Sequence, residues 1–172
     1  RLHFVPDDAS GIAFLRVRIE APEDERYYGL GGHLDRPEIR GSLRATQLEA
    51  RPSFEGASNE AHVPVPLMIG TRGWGVFAES DRYGLLDIDD SLPGATEITF
   101  GTAEQSDQGL LLQFFRQEDA IDVTAAYYAH TGMPGLPADW VYGPLIWRDE
   151  TSGQAEVEED IRTIRALDLA TS

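Results

Sequence analysis

Apolar and polar residues alternate strictly over Phe14-Leu15-Arg16-Val17-Arg18-Ile19-Glu20. Leu15, Val17 and Ile19 fall on one side and Arg16, Arg18 and Glu20 on the other, so the period of two predicts a half-buried strand with one solvated face. Residues 63–69 form a second apolar run that carries Pro64 and Pro66. Prolines at alternate positions put both missing donors on the same side, which predicts an edge strand. After a turn at Thr71-Arg72-Gly73, residues 74–78, 83–88, 97–100 and 110–115 read as further strands, separated by turns such as Asp89-Asp90-Ser91-Leu92-Pro93-Gly94. Short strands at this spacing predict a mainly β fold, an antiparallel β-sandwich.

The period changes near residue 119. Ile121, Ala125 and Tyr128 recur at helical spacing and predict a helix over 119–131. Gly132-Met133-Pro134-Gly135-Leu136-Pro137 then breaks the chain, and we divide it there into a sandwich domain, 1–133, and a second part, 134–172. Within the second part, residues 141–147 read as a strand. From Gln154 onward, Val157, Ile161, Ile164 and Leu167 form a helical stripe. Glu156, Glu158, Glu159 and Asp160 lie early in that helix and Arg162 and Arg165 late, as the helix dipole favours, and Thr151-x-x-Gln154 has the spacing of a capping box. One strand, a loop and one helix make a single βα unit, which cannot bury its apolar surface without neighbours. The chain starts at Arg1 and stops directly after this helix, which reads as an internal piece of a longer protein.

Hydrophobic residues make up 41% of the 172, enough for a core, and no run reaches the roughly 18 apolar residues of a membrane-spanning helix. The formal net charge of −16 makes nucleic acid and anionic membrane poor partners. All 14 basic residues are arginine, and the absence of cysteine excludes disulfides and thiolate chemistry. His3, His33, His62 and His130 do not have the short spacing of a metal pair, so neither a metal nor another cofactor is expected. Gly29-Leu30-Gly31-Gly32 has the look of a phosphate loop, but Asp35, Arg36, Pro37 and Glu38 follow and no helix opens, so a tight turn between strands is expected. Trp147-Arg148-Asp149-Glu150 ends the strand of the βα unit. An aromatic ring beside a guanidinium and carboxylates suits a carbohydrate pocket, and a buried Trp followed by a solvated turn explains the same residues.

Several segments together resemble glycoside hydrolase family 31, the family of α-glucosidases and α-xylosidases. They are Glu25-Arg26-Tyr27-Tyr28-Gly29-Leu30-Gly31-Gly32-His33-Leu34-Asp35 with Arg40-Gly41, Val65-Pro66-Leu67-Met68-Ile69 with Arg72-Gly73-Trp74-Gly75-Val76-Phe77, and Tyr128 with Thr131-Gly132-Met133-Pro134-Gly135-Leu136-Pro137-Ala138-Asp139-Trp140-Val141-Tyr142-Gly143. Residues 157–167 are similar to the first helix of that family's barrel. The resemblance implies a galactose-mutarotase-like sandwich followed by the first βα unit of a truncated (β/α)8 barrel. It implies a retaining mechanism through a covalent glycosyl-enzyme with two aspartates on later barrel strands. A whole barrel needs roughly 250 residues, so neither aspartate belongs to this chain and no residue here is assigned as catalytic. The implied partner is an α-linked glucoside or xyloside, contacted by Trp147, Arg148 and Asp149 at the first strand end and by Glu49, which stands where the family has a sandwich-loop aspartate. Gly32 replaces the glutamate that usually follows the glycine pair, and Trp147-Arg148-Asp149 replaces the usual end of the first strand. A free-standing carbohydrate-binding sandwich and an interaction domain are the competing readings, and neither accounts for a βα unit after the linker.

Overall fold

The alternation at residues 14–20 becomes strand β2, Phe14–Glu20, with Leu15, Val17 and Ile19 half-buried and Arg16, Arg18 and Glu20 exposed. In the computed structural model, which describes residues 1–33, 35–48, 61–102, 106–144 and 153–169, eight more strands accompany it among the described residues. They are β1 (Leu2–Phe4), β3 (Tyr27–Gly31), β4 (Ser42–Ala45), β5 (Pro64–Gly70), β6 (Trp74–Ala78), β7 (Gly84–Ile88), β8 (Ala95–Gly101) and β9 (Leu110–Arg116). All named pairings are antiparallel. One sheet has the order β1-β9-β6-β5-β3 and the other β2-β8-β7-β4.

The register explains the core. Met68 opposes Val76, Val76 opposes Phe114 and Ala78 opposes Leu112, so these side chains share the inner face of the five-stranded sheet. Leu15 opposes Phe100, and Val17 and Leu86 both oppose Ile98, which makes the matching face of the four-stranded sheet. The two faces meet in one buried cluster that also holds Tyr27, Leu30, Ile39, Ile88 and Leu110. The other face of the five-stranded sheet is apolar as well, through Leu67, Phe77 and Phe115. It is covered by helix α1, Ala120–Thr131, which inserts the fully buried Val123 and packs Tyr127 edge-on against Phe77 at 5.1 Å between ring centres.

Two expectations fail for identifiable reasons. β5 is not an edge strand, because β6 and β3 flank it. Its prolines are tolerated because the pairing with β6 begins at Leu67, one residue beyond Pro66, while the pairing with β3 is interrupted by a bulge between Gly29 and Gly31. The glycine cluster is therefore not a turn between strands. It is the bulge itself, with positive φ at Gly29 (109°), Leu30 (64°) and Gly31 (90°), and it buries Leu30 in the core. A Cβ on Gly29 would collide with the Leu67 carbonyl oxygen, and one on Gly31 with that of Val63.

The chain divides into two compact units, Arg1–Gly132 and Met133–Ser172. In the second unit a 3₁₀ turn occupies Asp139–Tyr142, so Val141 and Tyr142 do not begin the expected strand, whose remainder from residue 145 lies outside the described residues. Helix α2, Gln154–Ala166, starts at Gly153 without a side-chain cap. Thr151 of the expected capping box lies outside the described residues. Gln154 donates to Glu158 at 2.7 Å, and Arg162 pairs with Glu158 and Glu159 at 2.9 and 3.2 Å.

Gly29→Ala is expected to lower unfolding stability by more than about 2 kcal/mol, because backbone strain and a collision with backbone act together. Gly94→Ala, at φ 79° in open space, carries only the strain and should cost about 1 kcal/mol. Equal losses in urea titrations would rule out the collision. Among the described residues of the second unit none is buried, so the amides of α2 should exchange with solvent much faster than those of β9. Hydrogen exchange with equal protection in both elements would contradict this.

Candidate functional site at one end of the sandwich

The ends of β3, β4, β6 and β8 and the starts of β2, β5, β7 and β9 lie together at one end of the sandwich, as the antiparallel pairing requires. Two polar groupings lie here. The first begins on β4, where Ser42 opposes Ile88 and Arg44 opposes Leu86, placing both in the inner-face register of a sheet edge. A buried guanidinium needs a partner. Arg44 finds it in Asp35, which it binds through both terminal nitrogens at 2.9 and 2.8 Å, while its Nε donates to Ser42 Oγ at 3.0 Å. Asp35 is about half exposed, and the guanidinium holds its carboxyl below the usual range.

His33 completes this group. Its ring has a hydrogen bond with the Ala45 backbone, and its Nε2 is buried without a partner among the described residues. Burial first, and the Arg44 charge second, push its pKa down, so the imidazole is held neutral. Chain leaving β4 is anchored by Thr46, whose N–H donates to the Gly84 carbonyl at 2.9 Å and whose Oγ1 accepts from Gly84 N–H at 2.8 Å. Leu48 and Ala61 form a bridge, and Ala61 N–H donates to the Gln47 carbonyl at 2.9 Å. The residue pair at which 49–60 departs and returns is thus fixed on the sandwich. Glu49 itself lies outside the described residues, as do Trp147, Arg148 and Asp149. The structure does not bring these four expected contact residues together or apart.

The second grouping lines a cavity of about 450 Å³ between the two sheets. Its floor is Leu15, Phe100 and Leu110, and its rim carries Glu79, Asp81, Arg82 and Gln108. The opposite end of the sandwich is tied by polar contacts to its turns. There Glu25, 1% exposed, accepts from Trp74 Nε1 at 2.6 Å and from the Arg72 backbone at 3.1 Å. Arg40 bonds the Pro22 and Glu25 carbonyls at 2.5 and 2.8 Å and pairs with Asp89 at 2.7 Å. Tyr27 is buried beside them, and desolvation followed by the charge of Glu25 pushes its phenol up to about 12. Glu25 and Arg40 are thus used to hold the turns at this end, while the buried Tyr27 hydroxyl has no hydrogen-bond partner among the described residues.

Sequence reasoning missed His33, Asp35 and Arg44 as a group because the pairings join residues from different strands and connections. The one legible sign was an arginine next to an exposed leucine in a short strand, reversing the usual alternation: Leu43 is 40% exposed and Arg44 is buried. Among the described residues no group of three or more His, Asp or Glu could hold a metal.

No family model matches the chain. An isomaltosyltransferase of Sporosarcina globispora is 22% identical over 149 residues, which is 87% of this chain and 13% of that protein. The cycloalternan-forming enzyme from Listeria monocytogenes, solved with a pentasaccharide substrate, superposes with a TM-score of 0.82 at 17% identity over 93% of this chain and 15% of its own. A GH31 dextranase from Flavobacterium johnsoniae, solved with isomaltotriose, superposes with a TM-score of 0.74 at 19% identity over 95% of this chain and 19% of its own. The chain therefore has the fold of one portion of these proteins and spans less than a quarter of their length.

His33 and Asp35 both have depressed pKa values, so the unfolded chain binds more protons than the folded one as pH falls. The His33 contribution is complete above the unfolded value of about 6.5 and is lost as pH drops through the lower folded value; that of Asp35 is complete above about 4 and is lost below it. His33→Gln should flatten the decline of the urea midpoint between about pH 7 and pH 5 while leaving the more acidic decline in place. A variant whose profile matches the parent across both windows would show that His33 is not linked to folding.

Proposed function

We propose that this chain is the sandwich, residues 1–133, and the first βα unit, residues 134–172, of a retaining glycoside hydrolase of family 31 that acts on α-linked glucosides or xylosides. What carries the reading is that one stretch of chain is similar in sequence to an isomaltosyltransferase over 87% of its length and similar in fold to a GH31 dextranase over 95%. The glycine-rich segment, the Trp74 hairpin and the Pro-Gly linker occur in the order that the family resemblance requires. Because the relatives are named for isomaltosyl transfer and dextran cleavage, the substrate class favoured is an α-glucan with isomaltosyl units.

In this reading the chemistry belongs to two aspartates on later barrel strands, one attacking the anomeric carbon and the other protonating the leaving oxygen and then activating water. The residues of this chain bind and orient. Trp147 packs against the face of the terminal sugar, and Arg148 and Asp149 hydrogen-bond its hydroxyls at the C-terminal end of the first strand, where barrel enzymes assemble their sites. Glu49 contributes from the segment whose base is held at Leu48 and Ala61. The bulge at Gly29–Gly31 and the Arg44–Asp35 pair then serve to set that base.

The isolated 172-residue chain should show no turnover of aryl α-glucosides or isomaltotriose, whereas the full-length enzyme should hydrolyse them. In the full-length enzyme, Arg148→Ala and Asp149→Ala should each lower kcat/KM by roughly tenfold to a hundredfold, the loss of one hydrogen bond to a charged group, about 1.5–3 kcal/mol. Turnover by the purified chain, or unchanged efficiency in both variants, would refute the assignment of roles.

A further inference from the structure

The cavity between the sheets has a rim that is built and not frayed. His3 Nε2 is 2.7 Å from the Gln108 carbonyl, tying β1 to the chain that enters β9. Thr102 bonds back to the β2 entry twice, Oγ1 to the Ile12 carbonyl at 2.6 Å and N–H to the Ala13 carbonyl at 3.0 Å. Glu79 N–H donates to the Leu111 carbonyl at 3.0 Å, Arg82 N–H to Ser80 Oγ at 3.2 Å, and Gly101 N–H to the Tyr83 carbonyl at 3.0 Å. Backbone is therefore pinned around the opening from both sheets. The space between is about 450 Å³, within the range of roughly 300–1,000 Å³ typical of small-molecule pockets.

The side chains around it retain hydrogen-bonding capacity. Glu79 uses Oε1 on His130 at 2.9 Å, which leaves Oε2. Asp81 is exposed and makes one long contact with Arg82, 3.3 Å. The Gln108 side-chain amide has no partner among the described residues, since the His3 contact uses its main-chain carbonyl. Ser80 Oγ accepts from Arg82 and still has its own hydrogen to donate. Beneath these lie apolar Leu15, Phe100 and Leu110.

The composition of the lining selects the ligand class. The rim carries two carboxylates, Glu79 and Asp81, against one guanidinium, Arg82, which already pairs with Asp81 at 3.3 Å, so its balance is acidic and disfavours an anion, and among the described residues there is no cluster of three groups to hold a metal cation. An apolar ligand would cover the rim's carboxylates and amide without satisfying them. A neutral ring with several hydroxyls meets both demands. Its hydroxyls donate to carboxylates and exchange bonds with the amide and serine, and its C–H face rests on the leucines and phenylalanine. We infer that this cavity is a binding site for a neutral mono- or disaccharide. The inference goes beyond the proposed enzymatic activity and does not depend on it.

The site is tested on the 172-residue chain by ¹H–¹⁵N shift titration with glucose, isomaltose and, as an anionic counterpart, glucuronate. Glucose or isomaltose should give saturable shifts at residues 79–82, 101–102 and 108–111, with a dissociation constant on the order of millimolar. Glucuronate should bind more weakly. Asp81→Ala and Gln108→Ala, both at exposed positions and so harmless to folding, should each weaken binding about three- to tenfold, the loss of one hydrogen bond. No saturable shift with either neutral sugar, shifts centred elsewhere, equal affinity for glucuronate, or binding unchanged in both variants would each overturn the inference. Hydrolysis by the full-length enzyme without sugar binding by this chain would overturn this site alone, and binding without hydrolysis would leave the site standing while refuting the enzymatic reading.

Discussion

The structure of the first unit rests on one apolar contact, the burial of Leu86, Ile88, Ile98 and Phe100 on one sheet against Met68, Val76, Ala78 and Leu112 on the other. Each strand commits alternate side chains to this layer, and the pairing register is held because a slip by one residue would turn the whole set to the wrong face. The five-stranded sheet has a further demand, since Leu67, Phe77 and Phe115 make its outer face apolar too. Helix α1 answers it with Val123 and Tyr127. The four-stranded sheet needs no such cover, because its outer face carries Arg16, Arg18 and Glu97, joined by ion pairs of 3.0 and 2.6 Å.

A packed layer of this kind leaves room for polar chemistry only at its ends and edges. One end is spent on structure, with Glu25, Arg40 and Asp89 holding turns by hydrogen bonds to main chain and side chains. At the edge strand β4, Ser42 and Arg44 occupy the inner-face register and Asp35 neutralises the guanidinium. A charge pointing inward on an edge strand discourages another chain from pairing with that edge.

The remaining end is where the sheets part and the cavity opens. It shares this end with the His33 group, which gives the sandwich two polar regions facing the same side.

The sequence alone determined the class of the fold. Alternation at residues 14–20, strand-like runs at 74–78 and 110–115, and the change to helical spacing near 119 are local patterns, and each became the expected type of element, although α1 buries Val123 and packs Tyr127 while Ile121 and Ala125 of the expected stripe are exposed. Only the tertiary structure decided that β5 is an interior strand and that the glycine cluster is a bulge, because both depend on where a neighbouring strand begins and ends its pairing. The same holds for the candidate sites. Arg44 with Asp35, Glu79 with His130, and the cavity floor of Leu15, Phe100 and Leu110 join residues from different strands. No period along the chain records such pairings, since what brings these side chains together is the stacking of two sheets.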